Sequence, residues 1–281
     1  MPSFYLISME FIVVALFIMC LRHAWRSGPE HVLRLVAGVL FGLLLEFATI
    51  WQLEAYSYGT FLMMLRDVPL VIGIGWGIII YSAKLFSDAT NLPETMRPVL
   101  DGLLALNIDL AMDAIAIRLG MWDWGLGLHF QYFGVPYANF WAWFWVVVSF
   151  SASIRLLTPQ ARGVWYWLAP FGAVLLGLVG VLCANAFIVY IVPRQFYELT
   201  IGFPLISTLL LVLLHRPKFT GRPHAPIAFW VPFGFHAYFI AAGLLSGTIL
   251  DPPVQLAISI TMFLISLYLH CSTLLGLRAL C

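Results

Sequence analysis

The feature that most constrains this chain is its succession of unbroken apolar runs, each about 17–25 residues long, the length a helix needs to cross the hydrocarbon core of a bilayer. Hydrophobic residues make up 62% of the 281 and charged residues 10%, with a mean hydropathy of +0.96. A soluble domain carries roughly 25% charged residues. A water-soluble core of this length cannot absorb so much apolar surface, whereas lipid can, and lipid admits only helices or closed barrels. Barrel strands alternate apolar and polar residues over about ten positions, and that pattern is absent here. The expected fold is therefore all-α: a polytopic helical transmembrane bundle forming one membrane domain over residues 1–281.

Nine candidate spans fall at about 4–22, 32–50, 67–86, 99–118, 137–157, 164–192, 196–215, 227–249 and 253–276. The count drops to eight if the seventh, bordered and interrupted by Pro193 and Pro204, is discounted. The sixth is long enough to tilt or kink. The first run has no basic residue before it, and Arg22 and His23 follow it where a signal peptide would have small residues, so it reads as a retained helix. With nine spans, Arg22, Arg26, Arg34, Lys84, Arg97, Arg155, Arg162, Arg216, Lys218, Arg222 and Arg278 fall on one side, and only Arg66, Arg118 and Arg194 on the other. Positive loops stay cytoplasmic. The expected protein thus lies in the plasma or inner membrane, with its N-terminus outside and its C-terminus in the cytoplasm.

A net charge of +1, with no large basic cluster, argues against a nucleic-acid partner. Cys20, Cys183, Cys271 and Cys281 form no CxxC pair and read as small hydrophobes, not as a metal or disulfide framework. Of the seven histidines, His23, His31, His129, His215 and His224 fall at loops or span ends, while His236 and His270 lie within spans as packed polar groups. None has metal-site spacing. Gly73 and Gly75 lie in mid-span, where small residues permit close helix packing.

The residues that stand out are acidic. An ionisable side chain within a span is costly and usually faces the bundle interior. Asp109 and Asp113 stand at i and i+4 in the fourth span, on one helix face. Two carboxyls that close in low dielectric cannot both ionise, which leaves one acid and one carboxylate, the equipment for general acid–base work. Glu46 lies in the second half of span two, and Asp67 opens span three. With the predicted orientation all four carboxyls converge in the outer half of the bundle. Glu10 and Glu198 read as hydrogen-bond partners. Between Trp122 and Trp145 the chain is dense in aromatics, including Trp124, Phe130, Tyr132, Phe133, Tyr137, Phe140, Trp141, Trp143 and Phe144. Such a segment serves as a membrane-surface belt or as the lining of a pocket for a flat, conjugated ligand or a cation.

Three stretches resemble the membrane carotenoid hydratases of bacteria and archaea, which hydrate the end of γ-carotene or bisanhydrobacterioruberin. The first runs from Tyr56-Ser57-Tyr58-Gly59 through Asp67-Val68-Pro69-Leu70 and Gly75-Trp76 to Tyr81. The second is Asp109 and Asp113, followed by Gly120, Trp122 and Trp124. The third is Tyr132-Phe133-Gly134-Val135-Pro136 with Asn139-Phe140. The resemblance is strongest over about residues 40–160, and Ile108, Ala114 and Ala142 stand where the family pattern has Trp, Pro and Gly.

The resemblance implies addition of water to the terminal (ψ-end) double bond of a carotenoid. Protonation of the less substituted alkene carbon gives a tertiary cation, which water then captures, with no redox cofactor or metal. Asp109, Asp113 and Glu46 would be catalytic. Asp67, Trp76, Tyr58, Trp122, Trp124, Tyr132, Phe133 and Asn139 would bind the substrate. The implied partners are a carotenoid or other long isoprenoid lipid, membrane lipid and other enzymes of carotenoid synthesis. Other classes share parts of this pattern: a pigment-binding subunit without chemistry, a proton-coupled transporter, and a cyclase in which an internal alkene replaces water.

Overall fold

The computed structural model describes residues 3–275 apart from 55, 160 and 221–224, with side chains up to 270. Arg222, His224, Arg278 and Cys281, and the side chain of Cys271, lie outside the described residues. Nine α-helices follow one another among them: α1 (Phe4–Ser27), α2 (Pro29–Leu53), α3 (Leu70–Asp88), α4 (Arg97–Arg118), α5 (Tyr137–Leu157), α6 (Val164–Ala186), α7 (Tyr197–Leu214), α8 (Ile227–Ser246) and α9 (Pro253–Leu275). They run alternately up and down. The end carrying the N-terminus and the α2–α3 and α4–α5 loops is called the roof below, and the opposite end the floor.

Eight of the nine are long and apolar enough to cross a membrane, and the chain is a multi-pass membrane protein. The seventh span forms in spite of Pro204, and Thr208 caps the carbonyls of Pro204 and Leu205 inside it. The helix that fails the apolar criterion is α4, because Asp101, Asp109 and Asp113 fall within it. It need not face lipid, since it is enclosed by α3, α5, α7, α8 and α9. The sixth span continues past α6 as a π-helical turn, Phe187–Ile191.

Small residues set the closest helix pair. A Cβ on Gly42 would lie 2.6 Å from the Trp76 Cβ, and one on Gly73 would lie 2.4 Å from Leu43 Cγ. Backbones of α2 and α3 therefore touch, as small residues allow, and this brings Glu46 of α2 against Trp76 of α3. Gly73 bears out the close-packing expectation. Gly75 does not need its small size in the same way, since a Cβ there would meet only a ring atom of Phe235 at 3.9 Å.

At the floor, one arginine ties three helices. Arg155 of α5 donates to Asp101 of α4 at 2.8 Å, and to Asp88 and Ser87 of α3 at 2.8 and 2.7 Å. Lys84 pairs with Asp88 as well. His236 bonds Asn107 at 3.0 Å, and Asn107 in turn donates to the Met262 carbonyl. His236 is thus a packed polar group, as its position in the sequence implied.

Candidate active site

The roof is made by the α2–α3 and α4–α5 loops, which pair with each other. Strands β1 (Ser57–Tyr58) and β4 (Trp122–Asp123) are antiparallel, with Tyr58 opposite Trp122. Strands β2 (Met64–Leu65) and β3 (Val68–Pro69) form a second small hairpin. Glu10 of α1 accepts the backbone N–H groups of Leu62 and Met63, at 2.9 and 3.1 Å, and so anchors this loop. It is the structural partner its sequence position suggested.

Under this roof lies a cavity of about 960 Å³, near the upper end of the range for small-molecule sites. Asp113 and Glu46 both face it, from α4 and α2. Behind Asp113, one turn away on the same face of α4, Asp109 is fully buried. Asn139, in the first turn of α5 after Pro136, donates to Asp113 Oδ2 at 2.6 Å and reaches both Asp109 oxygens at 3.3 Å. One amide therefore clamps both acids. The second oxygen of Asp113 is buried and has no hydrogen-bond partner among the described residues.

Glu46 is held by three donors. Tyr56 and Tyr58 each donate to Oε2 at 2.6 Å, and the Trp76 indole donates to Oε1 at 2.7 Å. Burial first, and then the Glu46 carboxyl beside them, push both phenols well above the usual tyrosine range, so they stay protonated and keep donating. No cation is bonded to Glu46, Asp109 or Asp113 among the described residues, and the groups that donate to them are neutral: two phenols, an indole and an amide.

Aromatic rings complete the wall. Trp76 packs on Trp143 with ring centroids 4.4 Å apart, and Tyr56 on Trp124 at 4.8 Å. Trp122, Trp124 and Tyr58 also face the cavity. Part of the aromatic segment is thus pocket lining. The structure gathers Glu46, Asp109, Asp113, Asn139, Tyr58, Trp76, Trp122 and Trp124 into one place.

Three residues expected at the site stand elsewhere. Asp67 is exposed in the turn between β2 and β3, where water satisfies a carboxylate. Tyr132 and Phe133 belong to a tight turn, closed by reciprocal backbone bonds between Tyr132 and Val135, with positive φ at Phe133 (51°) and Gly134 (100°). That is the geometry of a two-residue primed turn. Tyr132 fastens it to α4 by donating to the Leu110 carbonyl at 2.7 Å, and Arg118 braces it at the Phe133 carbonyl at 2.8 Å. The motif supports Asn139 from outside the cavity.

Other cavity residues carried little signal of their own. Tyr56 opens the first of the resembling stretches and Trp143 stands in the aromatic segment, but neither is singled out there as a site residue. Thr49 and Asn185 are further polar side chains in the wall, buried to 8% and 2% exposure. Thr49 stands one turn beyond Glu46 on the same face of α2, and Asn185 is a lone amide in an apolar span, a placement that usually has a use. Glu198, Arg194 and Gln131 form an exposed polar rim.

No curated protein and no solved structure matches this chain. A family model described as carotenoid biosynthesis protein matches residues 3–212, from the start of α1 nearly to the end of α7. That stretch contains every residue of the roof and of the acidic cluster, and the chain belongs to the carotenoid biosynthesis protein family.

Proposed function

We propose that the protein hydrates the terminal ψ-end double bond of a carotenoid. The observation that carries this reading is Asp113, which lines an aromatic cavity with one oxygen free of any hydrogen-bond partner among the described residues, with Asp109 and Asn139 behind it and Glu46 in the same cavity. Asp113 donates its proton to the less substituted carbon of the end alkene. A tertiary cation forms on the neighbouring carbon. The charge left on Asp113 is shared with the Asn139 amide and the Asp109 carboxyl. Trp76, Trp143 and Trp124 present ring faces that stabilise the cation. Water adds to the cation, its oxygen forming the new C–O bond, and its proton passes to the Asp113 carboxylate. The acid is thereby restored, and the sum is alkene plus water giving a tertiary alcohol.

The excess of Lys and Arg in the floor loops supports a reading in which the roof, and hence this chemistry, lies in the outer half of the membrane. A lipid-soluble substrate accounts for an active site built inside a helical bundle. The test is expression in a host that makes lycopene or γ-carotene, followed by mass analysis of the pigments. A gain of one water that Asp113→Asn abolishes supports the reading. Unchanged pigment with the wild-type protein, or full hydration with Asp113→Asn, overturns it.

A further inference from the structure

Hydration and cyclisation begin from the same protonated alkene and part only at the nucleophile. A cavity that hydrates must therefore hold a water where the cation forms, and must hold it by hydrogen bonds, because an apolar cavity stays dry. Asn139 already engages Asp109 and one oxygen of Asp113, and Tyr56, Tyr58 and Trp76 engage Glu46. Besides the second Asp113 oxygen and the indole N–H of the half-buried Trp124, two buried polar side chains of the wall are not engaged. Neither the Thr49 hydroxyl nor the Asn185 amide hydrogen-bonds to any described residue, although both are more than nine-tenths buried and both face the cavity. A threonine inside a helix ordinarily returns its hydroxyl to a carbonyl one turn back, and a buried amide left alone is costly. Both point to a ligand.

They also come from neighbouring helices. Helices α2 and α6 run in the same direction and meet where a Cβ on Gly177 would touch the Phe41 ring, at 3.1 Å. They meet again where the Gln52 side-chain amide donates to the Leu182 carbonyl at 3.2 Å and the Tyr190 hydroxyl, just past α6, donates to the Gln52 backbone carbonyl at 2.9 Å. Thr49 and Asn185 each lie eight residues beyond the Phe41–Gly177 contact, which sets them at similar depth on the two helices. Glu46 is one turn from Thr49 on the same face. A water held by a hydroxyl, an amide and a nearby carboxyl has the two to four polar partners that buried waters make.

We infer that Thr49 and Asn185 form the nucleophile subsite, holding the water that captures the cation and, after addition, the hydroxyl of the tertiary alcohol it becomes. This rests on the hydration reading. The subsite sets the fate of the cation and takes no part in the initial proton transfer. Thr49 and Asn185 are positioning residues, with Asp113 as the acid.

The experiment uses the full-length protein in lipid vesicles with lycopene, in D₂O. Products and recovered substrate are analysed by mass for added water, ring closure and deuterium at the chain end. The variants are Thr49→Val with Asn185→Leu, both close in size to the native residues, together with Thr49→Ser and Asp113→Asn. The double variant is expected to lose hydration by about tenfold or more, the scale of loss when a reactant is no longer positioned. It should still place deuterium in recovered or cyclised lycopene, because the cation forms and then returns a proton or closes a ring. Thr49→Ser keeps the hydroxyl and should hydrate as the wild type does. Undiminished hydration in the double variant overturns the inference and leaves the hydration reading standing. Loss of both hydration and deuterium exchange in the double variant also overturns it, since the two residues would then serve folding or protonation. Hydration by Asp113→Asn at the wild-type level overturns the underlying reading instead.

Discussion

At the floor end of α4, Asp101 meets Arg155, with Asp88 and Lys84 beside them. At the roof end, Asp109 and Asp113 meet only the amide of Asn139. The α4 acids are buried in both clusters, and both clusters join α4 to α5. The floor cluster pairs each acid with a cation and fills its space. The roof cluster withholds a cation and opens onto a cavity. A buried carboxyl with an arginine is committed to holding helices together, whereas one with only neutral donors in low dielectric keeps the option of carrying a proton. The same residue type, twelve positions apart in one helix, is scaffold at one end and, in the proposed reaction, reagent at the other.

The largest expected effect would break this contrast directly. Asp113→Asn keeps size and hydrogen bonding but cannot give up a proton, and hydration should fall by about 10²–10⁴-fold, the usual worth of a positioned acid. Pigment mass analysis per unit of folded protein reads this. Asp109→Asn should lose less, because Asp109 acts through Asp113. Arg155→Met should do the reverse at the floor. It strands Asp101 without its cation, at a cost of about 3–5 kcal/mol, measured as earlier thermal unfolding in detergent, with hydration per folded molecule retained. Adding Asp101→Asn to Arg155→Met should recover much of that loss. Tyr132→Phe removes one hydrogen bond to the Leu110 carbonyl and should cost about 0.5–1.5 kcal/mol of stability. Asp67→Asn is exposed and should change stability by no more than about 0.5 kcal/mol, with hydration kept. A large loss of activity there would mean that the β2–β3 turn reaches the substrate.

Much of this was legible because hydropathy is a local property. Nine helices, their alternation and the depth of Glu46, Asp109 and Asp113 follow from run lengths alone. Pairings that depend on distant chain segments did not show. The sequence reads Arg155 as one more cytoplasmic-side charge, while packing makes it the tie between α3, α4 and α5. Tyr132 and Phe133 read as pocket aromatics because composition does not reveal a backbone turn, whereas positive φ at Phe133 and Gly134 decides their role. Asp67 shares its span boundary with the site but not its face. Thr49 and Asn185 are ordinary residues one at a time, and gain meaning only once α2 and α6 are side by side.

The acids of α4 also bear on how the protein is made. An aspartate at mid-span costs about 2.5–3.5 kcal/mol when a lone helix leaves the translocon for lipid, and α4 contains three. Each has its partner on the next helix to be synthesised: Asp101 with Arg155, and Asp109 and Asp113 with Asn139. Alone, α4 is a poor membrane helix. Delivered together with α5 as a hairpin, it enters the bilayer with its polar groups already matched. The active site is then assembled during insertion, and a chain released before residue 139 would have neither a stable fourth span nor a clamped pair of acids.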